Sequence, residues 1–295
     1  MQAKLIHILF WSLLFSSLGV AQSWAQSAQR IMDQVDERQR RAADSTLSRS
    51  KLSSCPFVIK DKKVRCTESP RIKRMESVSR QLGSTKKDSQ TISIILEPAS
   101  EKGIGQLTYS YDDQTRDTES WLYLSALGKV KRMASGTGED QEPVALFGSE
   151  FSTEDMETGK TDEYDYQILQ QGPYRGQKVW VIEARPKPVR LNKTNYSRLL
   201  FWIDQQRYVA LKVHAYDKRE NLYKRIVSKN FDNLNDLWLA RDVTVYNVKK
   251  QRLSNMKTEQ VAMGVEIEPA FLTQRTLTDF AYREKTLQSL RQFFK

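Results

Sequence analysis

Catalysis needs nucleophiles, acid–base pairs or metal ligands at a reachable spacing, and this 295-residue chain offers few of them. It holds two histidines. His7 lies in an apolar leader, which leaves His214 alone on a run where it alternates out of step with Val209, Leu211, Val213 and Ala215. A single histidine with no serine or cysteine set to match does not assemble a nucleophilic triad. Glu150, Glu154, Asp155, Glu157, Asp162, Glu163 and Asp165 are many carboxylates without the spacing of a calcium loop. They are read as a solvated acidic rim, and no metal ligand is assigned. A glycosidase could use two such acids, but nothing selects a pair. Gly103-Ile104-Gly105 lacks the strand-loop-helix setting of a dinucleotide loop, and there is no Walker motif. The expectation is a protein that is not an enzyme and needs no cofactor.

Cys55 and Cys66 flank the stretch PFVIKDKKVR. A hairpin turning on Lys60-Asp61 sets Ile59 against Lys62, Phe57 against Val64 and Cys55 opposite Cys66. Opposed residues of that kind bring their Cβ atoms near the separation a disulfide requires. No histidine lies close and there is no CxxC, so an exported, oxidising setting favours a structural Cys55–Cys66 disulfide.

Export is read from residues 1–25. Lys4 precedes an apolar run over residues 5–18, and Ser23-Trp24-Ala25 satisfies the small-x-small rule of signal peptidase. The run is shorter than the about 20 residues of a membrane span, so a signal peptide cleaved near Ala25 is expected, with Ala21 as a second cleavage point. No cysteine ends the run, so a lipid-anchored product is not indicated. The predicted location is the periplasm. The chain has 47 Lys and Arg against 36 Asp and Glu, and loss of Lys4 with the leader leaves 46 against 36. A balance of +10 suits anionic lipid headgroups or an acidic partner, and a solvated basic surface accounts for it equally well. No nucleic-acid-binding signature accompanies the charge.

The elements that would position any site follow from periodicity. Residues 27–43 place Ala28, Ile31, Met32, Val35 and Ala42 on one helical face. Residues 44–54 read as a Ser-rich linker. Short alternating runs then recur at 71–80, 91–96, 106–111, 120–124 and 129–133, and again at 164–170, 177–184, 198–203, 208–216, 222–230, 236–248 and 257–263. Tight turns between them predict an antiparallel meander, and about a dozen strands with many large aromatics close into a barrel or curl into most of one. The tail past Thr278 changes period, with Phe280, Leu287, Leu290 and Phe294 on one face of a basic helix. That helix is expected to dock on the barrel; contact with a membrane or transporter is the other use of such a tail. The expected organisation is a leader over 1–25, one domain over 26–280 and a basic helix or tail over 281–295.

The run WLYLSALGKVKRMAS from Trp121, followed by FGSEFSTEDM ending at Met156, resembles the periplasmic outer-membrane lipoprotein-sorting proteins. The stretch ILEPASEKGIGQLTYSYDD over 95–113 is similar as well. These are LolA/LolB-like proteins, and the resemblance is to the branch often encoded beside RND-type lipid exporters. It implies a mainly β fold: a curved antiparallel sheet forming an incomplete barrel, an N-terminal amphipathic helix across its mouth and a lid between residues 135 and 156. It also implies a periplasmic carrier or accessory protein that binds lipid, or lipoprotein acyl chains, in an apolar cavity. By resemblance the cavity residues are Trp121, Tyr123 and Leu127 at the end of the sheet, Phe147, Phe151 and Met156 on the lid, and Ile31 and Val35 on the helix. Ile94, Leu107, Trp180 and Trp202 are further candidates. An RND-type exporter and an anionic membrane surface are the implied partners. A filled barrel serving as an exported interaction module for an acidic partner or an anionic membrane surface is the alternative, because periodicity alone does not separate a packed interior from a cavity.

Overall fold

The structure is a computed structural model that describes residues 16–41, 43–133, 144–234 and 237–294. Helix α1 (Ser16–Arg41) is followed by β1 (Ser45–Lys60), β2 (Lys63–Cys66), β3 (Arg71–Leu82), β4 (Asp88–Glu97), β5 (Gly105–Ser110), β6 (Glu119–Leu124) and β7 (Lys129–Met133). The second series is β8 (Tyr164–Tyr174), β9 (Gln177–Pro186), the short helix α2 (Pro188–Leu191), β10 (Arg198–Asp204), β11 (Ala210–Tyr216), β12 (Leu222–Leu234), β13 (Leu237–Asn247) and β14 (Arg252–Met263). Helices α3 (Gln274–Thr278) and α4 (Phe280–Arg291) follow. No helix among the described residues is long and apolar enough to cross a membrane.

The strands form one antiparallel sheet in the order β7-β6-β5-β4-β3-β1-β14-β13-β12-β11-β10-β9-β8, with β2 paired to the end of β1. Its edges, β7 and β8, do not meet, so the barrel is incomplete. Strand β1 joins the two meanders by pairing with β3 on one side and β14 on the other. This corrects the reading of residues 44–54 as a linker. Leu47 and Leu52 are buried there, Ser50 and Ser54 are buried between neighbouring strands, and the Ser54 and Ser254 hydroxyls lie 2.7 Å apart. Serine usually signals a loop because its hydroxyl competes for backbone groups, but here a cross-strand hydroxyl satisfies it.

Residues opposed in register share a face of the sheet. Leu47, Val78, Ile92, Leu107 and Trp121 are opposed in turn across β1, β3, β4, β5 and β6. Phe271, Leu272, Leu277, Leu287 and Leu290 cover this outer face, so the C-terminal helices dock on the sheet. Phe280 departs from the predicted docking stripe and is 56% exposed. Arg283 takes the buried place one turn on, its Nη1 donating to the carbonyls of Thr276 and Leu277 at 3.2 and 3.0 Å.

On the inner face, Ile168, Ile182, Phe201, Val213, Ile226 and Val245 are opposed in turn from β8 to β13. Ala28, Ile31 and Met32 of α1 pack on Ile168, Ile182 and Ile203. Leu146, Phe147 and Phe151 fill the adjoining inner face against Leu52, Met75, Ile95 and Val245.

The predicted Cys55–Cys66 disulfide is formed, with a Cα–Cα separation of 5.7 Å. Its hairpin turns one residue later than expected. Lys60 pairs with Lys63, Ile59 with Val64 and Phe57 with Cys66, which makes the cysteines diagonal neighbours. The turn residues are Asp61 and Lys62, both left-handed with φ of 52° and 58°. That is the pattern of a two-residue hairpin turn whose twist matches its strands, and Asp tolerates the conformation.

Candidate ligand cavity on the inner face

Between α1 and the inner face lies a cavity of about 190 Å³. Its apolar wall is built from Met32 and Val35 of α1, Tyr166 of β8, Phe201 of β10, Val213 of β11 and Ile226 of β12. These strand residues point inward for the same reason of register that carries Ile168 through Val245 along one face.

One end of the cavity is ionic and deeply buried. Arg190 of α2 has its Nη2 2.6 Å from Glu157 and 3.7 Å from Glu154, and its Nη1 3.3 Å from Glu163. Its Nε donates to the Tyr164 hydroxyl at 3.2 Å. Next to it, Nζ of Lys224 on β12 sits 2.6 Å from Asp155 and donates to the Ser152 hydroxyl at 3.3 Å. The Tyr196 hydroxyl donates to the other Asp155 oxygen. Burial raises the Glu154 carboxyl against the pull of Arg190. Burial opposes the charge on Arg190, but Glu157, Tyr164 and Glu154 outweigh it and raise its pKa. Burial pushes Tyr164 up to about 12 and holds Tyr166 and Tyr196 well above their usual range, so all three hydroxyls stay protonated donors at neutral pH.

The predicted acidic rim is therefore corrected. Glu154, Asp155, Glu157 and Glu163 are buried and ion-paired, as is Glu150, whose carboxylate accepts from Asn247 and Arg252 at 2.8 and 3.0 Å. Asp162 and Asp165 do face solvent. Lys160 lies 3.3 Å from Glu163 and near it in sequence, but the other cations, Arg190 on α2, Lys224 on β12 and Arg252 on β14, are too far along the chain for local spacing to reveal. Among the described residues no three metal-ligating side chains converge.

The residues singled out from sequence fall into separate places. Val35 lines the cavity, and Ile31 packs beside it with Trp180 against the cluster of Ile168, Ile182 and Ile203. Trp121 and Tyr123 lie on the outer face, packed with Ile94 and Leu107 under the C-terminal helices. Trp202 is also on the outer face, beside Val179, Val181 and Leu211. Leu127 and Met156 are 64% and 44% exposed. Tyr166, Phe201, Val213 and Ile226 were not singled out, although their alternation within strands was visible.

Phe147 and Phe151 sit on a small two-stranded excursion of the lid segment. Leu146 N donates to Phe151 O at 2.8 Å, Thr153 N donates to Val144 O at 3.0 Å, and left-handed Phe147 and Gly148 form the tip. Lys73 Nζ donates to Phe147 O at 2.9 Å, and the Glu150 amide donates to the Ser254 hydroxyl at 2.9 Å. Residues 144–153 are thus pinned to the sheet, while the predicted lid residues 135–143 lie outside the described residues. Phe151→Ala is expected to cost about 3–5 kcal/mol by urea unfolding, the price of emptying a buried aromatic site. A loss below about 1 kcal/mol would show that the plug does not carry the core.

Among the described residues His214 makes no acid–base pair. It packs at a tilt against Trp202 with ring centroids 4.7 Å apart, and burial with nearby Lys212 and Arg225 lowers its pKa to about 4. The unfolded chain, titrating near 6.5, binds the proton more readily. Stability from keeping this ring neutral is therefore full above pH 6.5 and is lost as pH falls from 6.5 towards 4. In His214→Gln that component of the acid-side loss should disappear from unfolding curves collected between pH 4 and 7.

Solved structures share this architecture. A DUF1329 family protein from Desulfovibrio piger superposes with a TM-score of 0.74 at 20% identity, covering 86% of this chain and 99% of its own. A putative outer membrane lipoprotein-sorting protein domain from Vibrio parahaemolyticus gives 0.73 at 21% identity, with the same coverage of 86% and 99%. A LolA superfamily protein from Nitrosomonas europaea gives 0.59 at 18% identity, covering 83% and 97%. No curated protein matches the chain in sequence. A family model described as an uncharacterized protein family matches residues 87–279, more than half of the chain. The chain belongs to the uncharacterized family that this model describes, and its fold is that of the LolA superfamily structure. The family match runs from the start of β4 through α3 and so contains the ionic end of the cavity and its strand wall. Helix α1 and the disulfide hairpin lie before it.

Proposed function

We propose that this LolA-like protein is a periplasmic, non-enzymatic carrier that holds lipid or lipoprotein acyl chains between α1 and the inner face of its sheet. The observation that carries the reading is the apolar cavity walled by Met32, Val35, Tyr166, Phe201, Val213 and Ile226. Each methylene buried there gains about 0.8 kcal/mol, and the ionic end leaves room for a polar head. At about 190 Å³ the cavity is smaller than the roughly 300–1,000 Å³ of most ligand sites, so loading requires its cover to shift. Helix α1 is that cover, and its shift requires Asp36 to release the Gly159 amide, now 2.6 Å away, and Arg40 to release the Thr85 carbonyl. Export by a leader ending near Ala25 and exchange with an inner-membrane RND-type exporter complete the proposal.

A fluorescent fatty-acyl probe tests it. Uptake should be saturable and should hold or strengthen as salt is raised, because apolar burial is not screened. Absence of uptake, or uptake lost steeply with salt, would favour the interaction module.

A further inference from the structure

The outer face carries a second concavity, of about 850 Å³, that the carrier reading does not use. Its floor is formed by β11 to β13, where Arg225 is opposed to His214 on one side and to Tyr246 on the other, with Lys212 on the same face. Its wall is the disulfide hairpin. Phe57 meets Tyr246 edge-on at 5.8 Å, and Ile59 and Val64, opposed in register, leave 64% and 42% of their surface exposed. Arg175, on the exposed turn between β8 and β9, and Lys229 complete the rim.

No carboxylate lines this depression, and none of Arg175, Lys212, Arg225 and Lys229 forms an ion pair among the described residues. Asp242 is opposed to Lys229, but its carboxylate accepts from Asn255 Nδ2 at 2.7 Å. Two aromatic rings flank Lys212, its Nζ 3.4 Å from the Trp202 centroid and 4.8 Å from that of Tyr174. Burial, then Arg175 and Arg225, hold its pKa down. Like charges gathered without a counter-charge repel, and an anion placed among them relieves that repulsion. The apolar wall beside them adds a second requirement, a hydrocarbon body.

We infer that this outer depression binds a phosphate-bearing amphiphile, its head on Arg175, Lys212 and Arg225 and its hydrocarbon against Phe57, Ile59 and Val64. Guanidinium forks match phosphate oxygens in pairs, which favours phosphate over a single carboxylate. The site is separate from the inner cavity, since the sheet lies between them, and either site can fail without the other.

The test is calorimetric titration of the intact protein with dihexanoyl phosphatidate below its micellar concentration. In a Val35→Trp background, whose inner cavity is filled, one saturable site is expected, weakened by at least roughly tenfold on adding Lys212→Ala/Arg225→Ala, as loss of charge-assisted hydrogen bonds implies. Ile59→Ser/Val64→Ser added to that background should weaken it as well. Arg175→Glu, on an exposed turn, gives the same reading without touching a central strand. Equal affinity for dihexanoyl phosphatidylcholine, equal affinity for inorganic phosphate, or undiminished affinity in the charge variants would each overturn the inference.

Discussion

Arg190→Met should destabilise the protein by about 3–5 kcal/mol, the usual consequence of removing one partner from a buried ion cluster. The guanidinium is held between Glu157, Glu163 and Glu154 within 2.6 to 3.7 Å and is 5% exposed, so Glu154 and Glu157 lose their cation in a poorly hydrated site and Glu163 is left with Lys160 at 3.3 Å. Methionine keeps most of the side-chain volume, so the loss is electrostatic and not a cavity effect. Adding Glu157→Gln and Glu163→Gln should recover part of it by lowering the stranded charge. Arg185→Ala is the contrast. Arg185 is 53% exposed beside Glu183 and Glu220, and such surface pairs contribute at most about 1 kcal/mol. Urea unfolding of the four proteins measures this. Similar losses for Arg190→Met and Arg185→Ala would mean that the buried cluster does not lock residues 154–163 to the sheet.

The second large effect is on binding. Val35→Trp should reduce acyl-probe affinity by at least about tenfold, the equivalent of roughly 1.4 kcal/mol, because the indole would occupy space now open between α1 and Phe201. Overpacking of this kind costs about 1–3 kcal/mol of stability, so the variant should remain folded at room temperature. Leu127→Ala removes an exposed leucine from the turn between β6 and β7 and should leave probe affinity unchanged. Fluorescence titration of both variants decides it: equal affinity in Val35→Trp and the parent protein would place the acyl site elsewhere.

Much of the architecture was legible in the chain because strands announce themselves by period. The alternation of Leu199, Phe201 and Ile203, or of Val213 and Ala215, needs no partner to be recognised. Strand β1 was hidden because its serines imitate a loop, and only Leu47 and Leu52 break the pattern. The disulfide was legible from two cysteines and a compartment, while its register depended on which two residues would accept a left-handed turn. The site was less legible for a physical reason. Which face of a strand points inward is fixed by pairing across the sheet, and pairing is non-local. Trp121 and Phe201 are both aromatic residues in strands, yet one packs into the core under the C-terminal helices and the other faces α1. The acids over 154–163 likewise look solvated until Arg190 and Lys224 are brought to them.

The most direct test is native mass spectrometry of the protein purified from its own host's periplasm, followed by organic extraction and identification of what was bound. The expected result is an acylated species at near one per protein, retained in the parent and absent from Val35→Trp. A protein that arrives empty, and stays empty when mixed with acylated lipid, would contradict the carrier reading.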